Sequence, residues 1–353
     1  MALPFLSSKA RKRDQITAVD LGTNATKAVQ LQRRGDKLIL VGFAVQEAPA
    51  KDAAASPEAL GRHLAQINQA LGGRAKQVVL ALGVADSFVR PAELPMVPAS
   101  DMRTMLKFNS KVYLQQELPD YLFDCYILPP RAGTKPEPLK PNQKGRVLVG
   151  GAKRKTVDDL QAAARSAGLV PEAIVPGLIA PANAFESAQP EIFRKEAVAL
   201  VDVGFRNSSI TLLLCGEPIL SRVVAIGGER LTSGVAESLG VSYAEAEGIK
   251  LGLAEEVQST MLTLLSPLGR ELRASIDFFE HQHDKAVSQV FVSGGSARSD
   301  NILQMLQTEL MAPCVKWNPA GGLSLALPPQ QMAEVEQFAP QLAVAVGAAL
   351  TMF

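Results

Sequence analysis

Two stretches decide the fold: AVDLGTNATKAVQLQRRGDKLILVGFAV, beginning at Ala18, and LVDVGFRNSSITLLLCGEPILSRVVAIGG, beginning at Leu200. Each opens with a short β-branched strand, passes through Asp-x-Gly into a turn of small polar residues, and continues as a second strand. A glycine-containing hairpin turn follows (Gly35-Asp36 in one, Gly216-Glu217 in the other), and then a third strand. Asp20 aligns with Asp202 and Gly22 with Gly204. A lone hairpin echo carries little weight; a shared Asp-x-Gly at the same place in both argues for duplication. The repeat is domain-sized, so the chain reads as two α/β halves, each opening on a β-meander.

Between the echoes the periodicity changes. Residues 57–71 place Leu60, Leu64, Ile67 and Leu71 on one stripe, an amphipathic helix. Residues 77–84 predict a strand, 88–96 an extended segment broken by prolines, and 100–118 a helix opened by Ser-Asp. LPPRAGTKPEPLKPNQKG, from Leu128, holds five prolines in a polar run and predicts an exposed loop. A strand over 146–152 and a helix over 156–167, closed by Gly168, follow, and residues 80–155 read as a small α/β insertion in the first half. In the second half, helices are expected at 228–239, 243–251 and 257–281, and residues 289–302 read as strand, Gly-Gly turn and helix start. The closing QLAVAVGAALTMF is apolar on nearly every side and too short to span a bilayer, hence a buried core helix.

Composition excludes several function classes. A length of 353 residues suffices for two full cores, and 47% hydrophobic with 20% charged residues is an ordinary balance for a globular chain. Lys plus Arg number 36 against 35 acids, so no global field draws in nucleic acid. The local exception is Lys9, Arg11, Lys12 and Arg13, read either as a flexible, solvated N-terminus over 1–15 or as a weak contact with an anionic membrane surface. Cys125, Cys215 and Cys314 are scattered, which suits a reducing compartment and offers no metal-ligand spacing. No signal-peptide core and no membrane-length apolar run is present, so a cytoplasmic location is expected.

P-loop, dinucleotide-binding, nucleophile-elbow and zinc-protease motifs are missing. What remains suits phosphate binding by two facing hairpins. In GTNATK, Gly22 lets backbone N–H groups converge on one anion, Thr23 and Asn24 add short donors, and Lys27 follows within reach. GFRNSS offers a matching cradle in Gly204, Asn207, Ser208 and Ser209. Asp20 and Asp202 end the strands just before these turns, where carboxylates can hold Mg2+ through its waters. VSGGSAR can pass Gly294, Gly295 and Ser296 close under a planar base. Glu247 and Lys250 share a helix face, either as a surface ion pair or as ligands for ribose hydroxyls.

These motifs, in this order, resemble the actin/Hsp70/sugar-kinase superfamily. AVDLGTNATK is similar to its phosphate-1 motif, LVDVGFRNSS to its phosphate-2 motif and VSGGSA to its adenosine motif. AIGGERLTSGVAESLGVSYAEAEGIK and VVLALGVADSFVRPAELPMVPASDM resemble the FtsA/PilM branch, the latter its inserted 1C subdomain, and within that branch the PilM type is the nearer. The resemblance implies a duplicated, ribonuclease H-like, actin-like α/β fold with a nucleotide cleft. It divides into subdomain 1A (16–79 and 156–192), 1C (80–155), 2A (193–226 and 287–353) and 2B (227–286). It further implies ATP and Mg2+ as cofactors, weak or absent hydrolysis, and a scaffold role at the cytoplasmic face of the inner membrane. The implied partner is the cytoplasmic N-terminal tail of a PilN-like inner-membrane protein, with pilus motor ATPases beyond it and membrane association only through partners. By the same resemblance Asp20 and Asp202 position Mg2+, the two turns cradle phosphates, Glu247 and Lys250 hold the ribose, and residues 294–296 hold the adenine. The alternatives are a polymerising FtsA-like division or type II secretion actin, and a small-molecule kinase needing a general base, for which Asp86 and Asp101 have no recognisable context. Two features depart from the family: the proline-rich loop over 129–141 is longer, and Phe205 and Arg206 stand where small residues are common. Arg206 either adds a phosphate contact or obstructs the cleft.

Overall fold

The computed structural model describes residues 14–49, 56–73, 75–129, 143–252 and 255–353; the basic run at 9–13 and most of the proline-rich loop lie outside them. The first half opens with β1 (Gln15–Leu21), β2 (Ala25–Arg34) and β3 (Lys37–Glu47), a meander turned at Gly35, whose φ of 61° glycine adopts without steric cost. Helix α1 (Pro57–Ala70) follows, capped by the Ser56 side chain, which accepts from the Ala59 N–H. Then come β4 (Gln77–Leu82), β5 (Ser87–Pro95), α2 (Ala99–Leu114), β6 (Tyr121–Ile127), β7 (Lys144–Lys153), α3 (Arg154–Ser166), β8 (Val170–Pro176), α4 (Ala180–Ala188) and the short α5 (Pro190–Lys195).

The second half repeats the start: β9 (Ala197–Val203), β10 (Ser208–Leu214) and β11 (Glu217–Val224) form a meander turned at Gly216, φ 81°. It continues through α6 (Gly228–Leu239), α7 (Tyr243–Gly252), α8 (Glu255–His283), β12 (Gln289–Ser293), α9 (Asp300–Leu310), β13 (Cys314–Lys316), β14 (Ser324–Leu325), α10 (Pro329–Phe338) and α11 (Ala343–Leu350).

The two large sheets have the same wiring. Setting aside β14, the first runs β3-β2-β1-β4-β8 and the second β11-β10-β9-β12-β13. In each the first three strands are antiparallel and the last two run parallel to the central one. The central strands are buried along nearly their whole length, as expected where helices cover both faces. One core cluster fills the space between β9–β12 and helices α6, α8 and α9, through Leu231, Met261, Leu268, Ile276 and Leu306. Another lies between the first sheet, α1 and α3.

The halves exchange helices. Phe185 of α4 packs against Phe291 of β12 and Trp317 of β13, with ring centroids 4.5 and 5.3 Å apart. Conversely α11 packs under β1, β2 and β4. The two helices cross where a Cβ on Gly347 would overlap the Ala180 carbonyl, so glycine permits an approach no other residue could make there.

A third, antiparallel sheet, β5-β7-β6, carries α2 on its own small core of Leu94, Met102, Leu106, Phe123 and Val149. Pro91 and Pro95 sit in β5, an edge strand, where the missing N–H does no harm. Residues 80–82 belong to β4 in the first large sheet, so the inserted sheet begins at Ser87 rather than at 80. Arg146 of β7 pairs with Glu217 of β11 at 2.5 Å, joining the inserted sheet to the second half.

Candidate functional site

In each half the strand carrying Asp-x-Gly is central, and its C-terminal end opens into a cleft between the sheets. The cleft has a volume of about 240 Å³, room for far more than a hydrated ion. Asp20, Gly22, Thr23, Asn24 and Lys27 line it from the first half. Asp202, Gly204, Asn207, Glu247, Lys250, Gly294, Gly295 and Ser296 line it from the second. Thirteen of the fifteen residues singled out by sequence are thus brought together.

Ser209 is buried and does not line the cleft, and neither does Ser208. Ser208 is fully buried, and its hydroxyl donates to the Ile226 carbonyl at 2.7 Å. The register explains this. Asp20 faces Lys27 across β1–β2, and Asp202 faces Ser209 across β9–β10. Ser208 is therefore the counterpart of Thr26, which is also fully buried and contacts the His63 ring at 2.8 Å. Alternating side chains on a strand point to opposite faces, so a position next to the cleft-facing one turns inward. Burial holds the His63 imidazole below its usual pKa.

The turns themselves match. A Cβ on Gly22 would lie 2.5 Å from the Ala25 carbonyl oxygen, and one on Gly204 would lie 2.7 Å from the Asn207 oxygen. Both glycines keep the chain tight against itself three residues on, leaving the turn concave. The second turn is also fixed to α6: Gly228 N–H donates to the Gly204 carbonyl at 2.9 Å, and Glu229 N–H to the Phe205 carbonyl at 2.8 Å.

The carboxylates differ. Asp20 accepts from Lys27 Nζ at 3.2 Å in a pair that is mostly buried. Asp202 accepts from the Ser293 hydroxyl at 2.8 Å. Burial pushes the Asp202 carboxyl above the usual carboxylate range, opposed by the Ser293 hydrogen bond and by Lys27, and reinforced by the Asp20 charge. Asp20, Lys27 and Asp202 line one cleft, so Asp202 lies within electrostatic reach of both charged groups of the opposite hairpin.

Glu247 and Lys250 form a closed network. Lys250 Nζ lies 2.6 Å from Glu247 Oε2 and 2.9 Å from Thr232 Oγ1, and the Thr232 hydroxyl is 3.0 Å from the Gly228 carbonyl. The Lys250 side chain is 5% exposed and that of Glu247 42%, so the carboxylate is the member open to a ligand. At the far wall, Gly294 has a φ of 97°, and a Cβ there would lie 2.5 Å from the Val203 oxygen; at Gly295 a Cβ would meet open space. The backbone is thereby bare where a flat group could approach.

Sequence reasoning named Asp86 only as a base without context and did not single out Thr232. Asp86, from the turn after β4, lines the cleft, and burial raises its carboxyl pKa against the pull of Lys153. Thr232 organises the Glu247–Lys250 pair. Asp101 is exposed in the first turn of α2 and does not line the cleft. Arg206 lines the cleft without filling it, its Nε 3.2 Å from Glu229 Oε2. Among the described residues, no group of three or more His, Cys, Asp or Glu side chains is placed to hold a metal ion, and no helix is long and apolar enough to cross a membrane.

A family model for the type IV pilus assembly protein PilM matches residues 18–353. The chain belongs to the PilM family. Its fold is similar to that of the PilM-PilN type IV pilus biogenesis complex, with a TM-score of 0.81 at 21% identity, over 97% of this chain and 99% of that one. Ethanolamine utilization protein EutJ from Carboxydothermus hydrogenoformans matches at TM-score 0.53 and 16% identity, covering 97% of this chain and 92% of that one. MreB5 of Spiroplasma citri, bound to ADP, matches at TM-score 0.54 and 11% identity, covering 96% and 95%. These likenesses establish the duplicated actin-like fold expected from the paired Asp-x-Gly hairpins. As in the sequence reading, the PilM family places the chain in type IV pilus assembly.

Proposed function

We propose that this PilM-family chain binds ATP with Mg2+ in the cleft and, in that form, acts as a cytoplasmic scaffold docking the N-terminal tail of a PilN-like inner-membrane protein. The observation that carries the nucleotide part is that the two Asp-x-Gly hairpins, one from each half, line the same cleft. The residues fit the group. The concave turns at Gly22 and Gly204 leave room that a Cβ would take, and two single carboxylates suit a Mg2+ ion that keeps most of its waters and bonds to phosphate oxygens. In this reading Asp20 and Asp202 orient those waters, and Lys27 with the N–H groups of residues 22–24 and 204–207 receives phosphate charge. Glu247 accepts from a ribose hydroxyl while Lys250 holds it in place, and the bare backbone at 294–295 with Ser296 receives the base. The bound cation offsets phosphate charge; the chain positions and neutralises. The ADP held by MreB5 supports the ligand class, and the PilM–PilN complex supports the partner.

Mg-ATP at millimolar concentration is expected to raise the melting temperature, since a ligand that binds only the folded state stabilises it by mass action. Asp20→Ala is expected to abolish that shift, and a wild-type protein that melts identically with and without Mg-ATP would remove the nucleotide claim. Capture of a synthetic PilN N-terminal tail tests the scaffold claim. Filaments by electron microscopy with no tail capture would instead favour the polymerising alternative.

A further inference from the structure

We infer that Arg206 discriminates between nucleoside triphosphate and diphosphate by exchanging Glu229 for the terminal phosphate; this rests on the nucleotide reading above. Among the described residues four cations line the cleft, Lys27, Arg206, Lys250 and Arg298, against the four carboxylates Asp20, Asp86, Asp202 and Glu247. The wall is formally neutral. A triphosphate brings one more negative charge than a diphosphate, and the wall must supply a cation to meet it.

Two of the four are held in mostly buried ion pairs. Lys27 is held by Asp20 at 3.2 Å with its side chain 18% exposed. Lys250 is buried between Glu247 and Thr232. Arg298 is exposed, 5.6 Å from the Phe338 ring centroid, but it stands past the Gly294–Gly295 turn, on the side given above to the base rather than to the phosphates. Arg206 stands on the second turn, and its partner Glu229 is 42% exposed and lies off the cleft wall. A solvent-exposed pair of this kind holds weakly, whereas a guanidinium on phosphate forms charge-assisted, often bidentate hydrogen bonds. The exchange therefore runs toward phosphate when a terminal phosphate is there to accept it. It also has somewhere to be felt, because Glu229 is in the first turn of α6 and Thr232, one turn on, anchors the Glu247–Lys250 pair.

Dissociation constants for Mg-ATP and Mg-ADP, measured by calorimetry on the full chain, test this. Arg206→Ala is expected to weaken Mg-ATP by about tenfold or more while moving Mg-ADP by less than about threefold. Glu229→Gln, which frees Arg206, is expected to tighten Mg-ATP by a few-fold and leave Mg-ADP unchanged. Arg206→Lys, which keeps charge but loses the fork, is expected to fall between wild type and Arg206→Ala. Melting curves without nucleotide establish that each variant is folded. Equal losses for both nucleotides, or no loss for either, would overturn the role of Arg206 while leaving the nucleotide reading intact. Wild-type protein that binds neither nucleotide would overturn both.

Discussion

The two hairpins are built on one plan and finished differently. Both put an aspartate at the end of a central strand, a glycine at the turn and a buried hydroxyl behind it, Thr26 in one and Ser208 in the other. The first hairpin then spends its cleft-facing position on Lys27 and satisfies its aspartate with that charge. The second has Ser209 at the matching position, and its aspartate relies on a neutral hydroxyl from the adjacent parallel strand. A duplicated scaffold can therefore give one carboxylate a charged partner and its twin only a neutral one. Burial pushes Asp202 above the usual carboxylate range.

The contrast can be broken most severely at the turns that follow the fourth strands. Gly294→Ala forces a methyl against the Val203 backbone at a φ of 97° and is expected to cost about 3 kcal/mol or more in chemical denaturation. Its positional counterpart Gly83→Ala meets only the far end of the Asp86 side chain, and is expected to cost under about 1 kcal/mol. Equal losses would show that the two turns are not differently constrained.

Next in size is the pair of aspartates. Asp20→Asn leaves the mostly buried Lys27 ammonium without its counter-charge and is expected to cost about 1–3 kcal/mol. Asp202→Asn can still accept from Ser293, and at neutral pH is expected to be neutral or stabilising, because it removes a charge that burial disfavours. The pH dependence sharpens the distinction. A carboxyl whose folded pKa is raised contributes stability that is fully present below its unfolded value, about 4, and lost as pH rises through the folded value. Wild type is thus expected to gain on Asp202→Asn as pH falls from 7 toward 4. A difference in melting temperature that stays constant over that range would contradict the burial argument.

The smallest effect separates the hydroxyls from the cradle. Ser208→Ala removes the bond to Ile226 and is expected to lower stability by about 1 kcal/mol with Mg-ATP affinity unchanged. A loss of affinity larger than the loss of stability would return Ser208 to the binding surface.

Which parts were legible follows from what a sequence encodes locally. Asp-x-Gly and the hairpin glycines are punctuation within a few residues of chain, so the duplication and its central strands could be read directly. The prolines of β5 predict breaks in an extended segment; it is extended, but pairs with β7 without a break, because an edge strand tolerates their missing N–H groups. Ser208 was misplaced because the run Asn207-Ser208-Ser209 does not reveal which residue faces the cleft; pairing register decides that. Asp86 was not assigned to the cleft because Val84-Ala85-Asp86 matches no motif, and only the parallel pairing of β4 beside β1 brings it to the same rim as Asp20. The start of the insertion was misjudged because a continuous apolar strand reads alike in either sheet. Thr232 has no periodic signal either; its importance comes from α7 lying alongside α6.

The crossing at Gly347 has a mechanical consequence. There the α4 and α11 backbones touch directly, and the Asn183 amide reaches the Gly347 carbonyl at 3.4 Å. The contact is set by main chain rather than by the length of a side chain, so even the smallest substitution at Gly347 would push the two helices apart. The molecule is arranged like tongs riveted through a single missing methyl group, with the grip set by the loops at the tips.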